Sequence, residues 1–281
     1  MKAVAVLLTC LCAVSTIAAQ QRFTASATGV RVDVLALRGK LPVAGLRAGD
    51  FEVRDNGVLQ TVEAVESQDL AVNVVLSLDA SGSVEGSRLA DLKAAGMALA
   101  NGLTSNDRMS LTAFSQQVMP LVGLTSDVGA IRRALERMRP SGATAIFDAL
   151  FAGIASTLVE PGRSLVVVCT DGRDTVSWLT ADDVREAARR ANAVVYVVAA
   201  GDAGVDELKD IAGVTGGHVI PVRDSSKYRE ELERILTEFR SRYVLLFTPT
   251  GVAPGGFHTI DVRVKASGVT VSARRGYFAA Q

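Results

Sequence analysis

Cysteine is nearly missing from this chain. Of its three cysteines, Cys10 and Cys12 fall within the first twelve of 281 residues. Beyond them only Cys169 remains, inside an apolar strand pattern. An intrachain disulfide is therefore excluded there, and the thiol reads as a small core residue. Histidine is limited to His218 and His258, both beside strand patterns. A serine hydrolase needs a Gly-x-Ser-x-Gly elbow with a histidine base, and the elbow does not occur. Nor does the Gly-x-x-x-x-Gly-Lys-[Ser/Thr] phosphate loop. A basic excess is also missing: 30 Lys and Arg balance 30 Asp and Glu, with no basic stripe interleaved with aromatics, which argues against a nucleic-acid partner. The clusters Arg132-Arg133, Arg137, Arg139 and Arg189-Arg190 lie on helical patterns and read as solvated faces.

What is abundant is aliphatic. Apolar residues make up 48% of the chain, which suits a sizeable core and argues against disorder. The amino terminus is a separate case. Lys2, the apolar stretch Ala3 to Val14 and the small residues around Thr16 to Gln20 form a secretory signal pattern over residues 1–19, with cleavage near Ala19. It is short for a membrane span, and none is expected after cleavage. Thr9 and Leu11 precede the two early cysteines where a lipoprotein signal requires a small residue. The expected location is thus outside the cytoplasm, periplasmic or secreted.

From 70 to 241 buried strands alternate with amphipathic helices, which predicts a largely parallel sheet covered on both faces. Strands are expected at Val72–Leu78, Arg108–Phe114, Ser164–Thr170, Val194–Ala199 and His218–Ile220, with a short edge strand from Val118 ended by Pro120. The last helix carries Tyr228, Leu232, Ile235, Leu236 and Phe239 on one face. The flanks, 22–68 and 242–281, are β-rich. Val30 to Leu37 alternates as a half-buried strand, Asp55-Asn56-Gly57 is a hairpin signal, and Val58 to Val65 is the expected returning strand. Neither flank has enough strands to be stable alone, so the two are expected to pair into one small sandwich-like domain around the central one.

Chemistry concentrates at strand ends. Asp79-Ala80-Ser81-Gly82-Ser83 follows the first buried strand and precedes a helix, so a carboxylate and two hydroxyls sit where open α/β sheets bind ligands. Thr144 falls at the start of the helical pattern Ile146, Phe147, Leu150 and Ile154, where a hydroxyl is an ordinary cap. Asp171 follows the strand Ser164–Thr170, at the same sheet end as Asp79. Singly, each residue is common turn or cap chemistry. Jointly they form a hard-oxygen set that suits Mg²⁺, Mn²⁺ or Ca²⁺. A phosphatase of the haloacid dehalogenase type would need a second aspartate two positions after Asp79, and Ser81 stands there.

The order Asp79-x-Ser81-x-Ser83, Thr144, Asp171 resembles the metal-ion-dependent adhesion site of von Willebrand factor type A domains, over roughly Ala71 to Ser241. The resemblance implies that Ser81, Ser83 and Thr144 offer direct hydroxyl ligands to a divalent ion, with Mg²⁺ ahead of Mn²⁺ and Ca²⁺. It implies that Asp79 and Asp171 hold the ion partly through water, and that a protein partner's Asp or Glu completes the shell. Gly45-Leu46, Asp50-Phe51, Asn56-Gly57 and Arg274-Arg275-Gly276-Tyr277-Phe278 extend the resemblance to a group of secreted bacterial proteins related to that domain. The expectation is a non-enzymatic adhesion module. A metal-assisted hydrolase and an envelope component with a merely stabilising ion are the alternatives.

Overall fold

A computed structural model describes residues 29–66, 70–159, 162–201 and 205–279. The signal pattern of residues 1–19, with Cys10 and Cys12, lies outside them. The chain opens with β1 (Val30–Arg38), β2 (Leu41–Pro42), β3 (Phe51–Asp55), β4 (Val58–Gln60) and β5 (Ala64–Glu66). The alternating centre follows as β6 (Val72–Asp79), α1 (Ser87–Asn101), β7 (Arg108–Phe114), β8 (Val118–Thr125), α2 (Val128–Arg137), α3 (Ile146–Ser156), β9 (Arg163–Thr170), α4 (Ala181–Arg190), β10 (Ala193–Ala200), α5 (Val205–Val214), β11 (Val219–Val222) and α6 (Tyr228–Arg240). It closes with β12 (Tyr243–Phe247), β13 (Gly256–Val264), β14 (Thr270–Ser272) and β15 (Gly276–Ala279).

The central sheet has the order β11-β10-β9-β6-β7-β8, parallel except for β8. Every residue of β6, β9 and β10 is buried, which is why these strands read as continuous apolar runs. Leu92, Leu99, Ile131, Leu135, Leu232 and Phe239 cover one face from α1, α2 and α6. Ile146, Leu150, Val184, Leu208 and Ile211 cover the other from α3, α4 and α5. Burying each such side chain stabilises the fold by about 1.5–3 kcal/mol. The chain steps from β6 to β7 on one side, while the other half begins at β9. The strand order therefore reverses between β6 and β9, and the crevice outside their carboxyl ends is the expected ligand position of an open α/β sheet.

The flanks combine. One sheet has the order β14-β1-β12-β5, with β2 also on β1, and a second has the order β15-β13-β3-β4. Val32, Val34, Val53, Leu245, Phe247 and Val262 pack between them as a separate small core. The Asn56-Gly57 hairpin has φ of 45° and 83°, the doubly positive geometry that an Asn-Gly turn supplies with least strain.

Two expected strands differ in detail. Val58 to Val65 is not one strand: β4 pairs with β3 in one sheet and β5 with β12 in the other, so the chain turns a corner between sheets. The strand at Val118 does not stop at Pro120 but runs to Thr125. It is an edge strand with shifted register beside Pro120, where the missing N–H costs the ladder little.

Candidate metal centre

Asp79 is the last residue of β6 and is fully buried. Its Oδ1 accepts the Ser81 N–H at 2.8 Å, and its Oδ2 accepts the Thr170 hydroxyl at 2.7 Å. Burial pushes this carboxyl above the usual carboxylate range, the bonds from Ser81 and Thr170 pull it back, and the nearby Asp171 charge adds to the upward push. Among the described residues no Lys or Arg pairs with Asp79, so its negative charge is buried without a cation.

The rest of the cluster grows from backbone constraints. Ala80 donates its N–H to Phe114 of β7, and Ser141 and Gly82 exchange backbone bonds with Ala80 and Gly142 at 2.8 and 2.9 Å. These bonds draw the loop after β6 against the loop before α3. Ser81 is buried, and its Oγ lies 2.9 Å from that of Ser83. Ser83 Oγ donates to Asp171 Oδ1 at 2.6 Å. Thr144 is buried, and its hydroxyl faces Gly172, where a Cβ would sit 3.7 Å away. The structure thus links Asp79, Ser81, Ser83 and Asp171 in one chain of contacts and sets Thr144 beside its far end.

Four neighbours were not singled out from the sequence. Thr170 holds Asp79 although 91 positions separate them. Arg88, in the first turn of α1, donates to Asp171 Oδ2 at 3.0 Å and to the Ser83 carbonyl at 2.9 Å. Thr175 clamps Thr144, accepting its N–H at 3.1 Å and donating its own N–H to the Thr144 carbonyl at 2.9 Å. Asp174 Oδ1 accepts the Ile146 N–H at 2.7 Å and so caps α3. The expected capping by Thr144 does not occur, because the N-cap position is Ala145 and a side chain from another loop replaces it. Only Thr170 had a local signal, standing directly before Asp171.

The donor set is all oxygen, two carboxylates and three hydroxyls. Among the described residues no three His, Cys, Asp or Glu side chains gather. Neighbouring ligands in an octahedral shell with bonds of 2.0–2.1 Å lie about 2.9 Å apart. The 2.9 Å separation of the two serine oxygens matches that spacing, and a buried unpaired carboxylate is the environment a cation relieves. These residues fit a hard divalent ion. Both histidines lie elsewhere. His218 packs on Tyr196 with ring centroids 4.8 Å apart, and His258 Nδ1 is 2.8 Å from the buried Asp55. Cys169 is buried in β9, and burial pushes its thiol well above the usual range, so it is an inert packing residue. Among the described residues no helix is long and apolar enough to cross a membrane.

Comparison with known proteins places this architecture. The uncharacterized protein sll0103 of Synechocystis is 34% identical over 109 residues, 37% of this chain and 26% of that protein. Mouse inter-alpha-trypsin inhibitor heavy chain H2 is 28% identical over 189 residues, 61% of this chain. The chain spans about a quarter of the first relative's length and a fifth of the second's. Among solved structures, a von Willebrand factor type A protein from Catenulispora acidiphila superposes with a TM-score of 0.55 at 15% identity, covering 92% of this chain and 74% of that one. Proximal thread matrix protein 1 from the mussel byssus gives 0.53 at 16% identity, covering 64% and 49%. Residues 73–236, which hold all but the first residue of the central sheet and the oxygen cluster at its switch point, match the family model of the von Willebrand factor type A domain, and the chain belongs to that family.

Proposed function

We propose that the chain is an exported, metal-dependent protein-binding module that captures an acidic side chain of its partner. The observation that carries this reading is the continuous contact from Asp79 through Ser81 and Ser83 to Asp171 at the crevice between β6 and β9. We read this contact chain as a metal-ion-dependent adhesion site, a reading supported by its all-oxygen side chains and its place at the strand ends. Ser81, Ser83 and Thr144 would hold a divalent ion, Mg²⁺ first, with Asp79 and Asp171 behind them. The bound ion supplies a positive centre that an outside carboxylate can complete. The protein's part is positional. Thr170 and the Ser81 N–H orient Asp79, Thr175 holds Thr144, and three neutral hydroxyls leave most of the ion's charge for the partner.

No reaction is assigned. The imidazoles are engaged away from the site, and Ser81 occupies the position where a phosphatase would keep its acid. Export is read from residues 1–19. The test is thermal unfolding with and without divalent ions. An ion at 100 times its Kd stabilises by about 2.7 kcal/mol, and each kcal/mol moves Tm by roughly 2–4 °C at this size. Mg²⁺ or Mn²⁺ should raise Tm by several degrees, and Asp79→Ala should abolish the rise. A rise that persists in Asp79→Ala sinks the site. Asp79-dependent hydrolysis of a phosphate or ester at ordinary enzymatic rates replaces the binding module with a hydrolase.

A further inference from the structure

Trp178 is the single tryptophan of the chain, and 93% of it is exposed. Large aromatic side chains are seldom left in water, and where a protein keeps one there it is the type most enriched among interface anchors. The loop that carries it is held firmly. Asp148 of α3 accepts the Trp178 N–H at 3.1 Å and the Leu179 N–H at 3.0 Å, one with each carboxylate oxygen. Asp174 accepts the Ser177 N–H, and the Ser177 hydroxyl accepts the Asp148 N–H at 3.2 Å. Leu179 packs inward against the core. The backbone on both sides of Trp178 is thus pinned while the indole stands in solvent, a preorganised anchor that loses little entropy when covered.

The position ties this residue to the oxygen cluster. The same loop begins at Asp171 and touches Thr144 through Thr175. Asp148 lies four residues after Thr144, so at most about 14 Å of chain separates Thr144 from the residue that holds Trp178. Val176 and Phe151, 41% and 38% exposed, add apolar surface, Phe151 sharing the α3 face of Asp148. Asp148 and Asp174 are turned onto backbone N–H groups, so neither confronts an acidic visitor as a bare charge.

We propose that Trp178, with Val176, is the apolar anchor for the partner: a peptide segment that gives an Asp or Glu to the Asp79 cluster and lays an aliphatic or aromatic side chain on the indole within about four residues. Extended chain covers about 3.3 Å per residue, so four residues cover about 13 Å, close to the upper bound on the Thr144–Asp148 separation. The proposal rests on the metal-dependent reading of the Asp79 site.

The test is selection of displayed random peptides on the full chain in Mg²⁺ with release by chelator, followed by titration of the selected peptides. Trp178 is its own reporter, since no second indole contributes. Selected peptides should carry an acid with an apolar residue within four positions and should move the emission to the blue as the indole leaves water. Trp178→Ala should weaken them at least tenfold, Trp178→Phe should keep most of the affinity, and both variants should retain the Mg²⁺-dependent rise in Tm. Chelator-released peptides that bind Trp178→Ala as tightly as wild type, or that leave the emission unmoved, overturn the anchor while the metal site stands. A blue shift on concentrating the protein alone assigns Trp178 to self-association and also overturns it. A wild-type chain with no Mg²⁺-dependent rise removes the metal reading and the anchor with it.

Discussion

Asp107 and Asp79 are both buried carboxylates, and their surroundings drive them in opposite directions. Burial alone would raise Asp107, but the N–H groups of Thr104 and Val72, the Thr104 hydroxyl and the Arg240 guanidinium outweigh it and hold the group below the usual carboxylate range. Asp79 has hydrogen bonds but no cation, so burial prevails. Asp107 joins the start of β6 to the end of α6, and Asp107→Asn leaves Arg240 without its charge partner. The variant should lose about 2–4 kcal/mol at pH 7. The sign with pH follows from the depressed value. The contribution is complete above the ordinary carboxylate range near pH 4 and fades as pH falls through the lower folded value. Urea unfolding from pH 7 to pH 3 should show the wild-type advantage shrinking only below about pH 4. An advantage that is flat across that range would mean Asp107 acts without its charge.

Among the elements, α3 shows how a helix start can be built from a distant loop. Its apolar face is periodic and was readable. Its cap was not, because Asp174 lies 28 residues away from the Ile146 N–H that it accepts. Asp174→Ala should cost about 1 kcal/mol in stability, the usual worth of a cap. Because the same loop clamps Thr144 through Thr175, the variant should also lower Mg²⁺ affinity several-fold, measured by titration of the Tm rise. Unchanged Mg²⁺ affinity would separate the cap from the oxygen cluster. The corner between β4 and β5 was equally hidden. No Gly or Pro marks it, and Gln60 holds it by bonding both the N–H and the carbonyl of Thr250, 190 residues away.

In the whole molecule, the sandwich and the α/β unit share a buried polar seam. Arg163, which opens β9, pairs with Asp33 of β1 and donates to the Phe239 and Arg242 carbonyls at 2.8 and 3.1 Å. Arg242 is fully buried and donates to the Tyr196 hydroxyl and the Gly216 carbonyl. Breaking such a pair from one side leaves an uncompensated buried charge, so Arg163→Ala should cost about 3–5 kcal/mol in chemical unfolding. The double variant Arg163→Met with Asp33→Leu should recover most of that loss, since apolar replacements of similar volume commonly match a buried ion pair. A double variant as unstable as Arg163→Ala would show that the seam depends on the donors to Phe239 and Arg242 instead.

This seam also explains why β1 departs from its pattern. Its alternation predicts one buried face, and Val30, Val32, Val34 and Ala36 do fill the sandwich core. Asp33 and Leu35 are buried as well, and Asp33 is covered there by its pairing with Arg163 of the α/β unit. Strand and helix types, the Asn-Gly hairpin and the strand-end placement of Asp79 and Asp171 were all set by residues within a few positions of one another. Side-chain period and turn chemistry are local properties, and a sequence displays them directly. Which carboxylate meets Thr170, which loop caps α3, what covers the back of β1 and that Trp178 is left in water are contacts across 28 to 130 positions or exposures that depend on the finished surface. Packing alone settles those, because each partner reaches its position only after the sheet order has brought distant strand ends together.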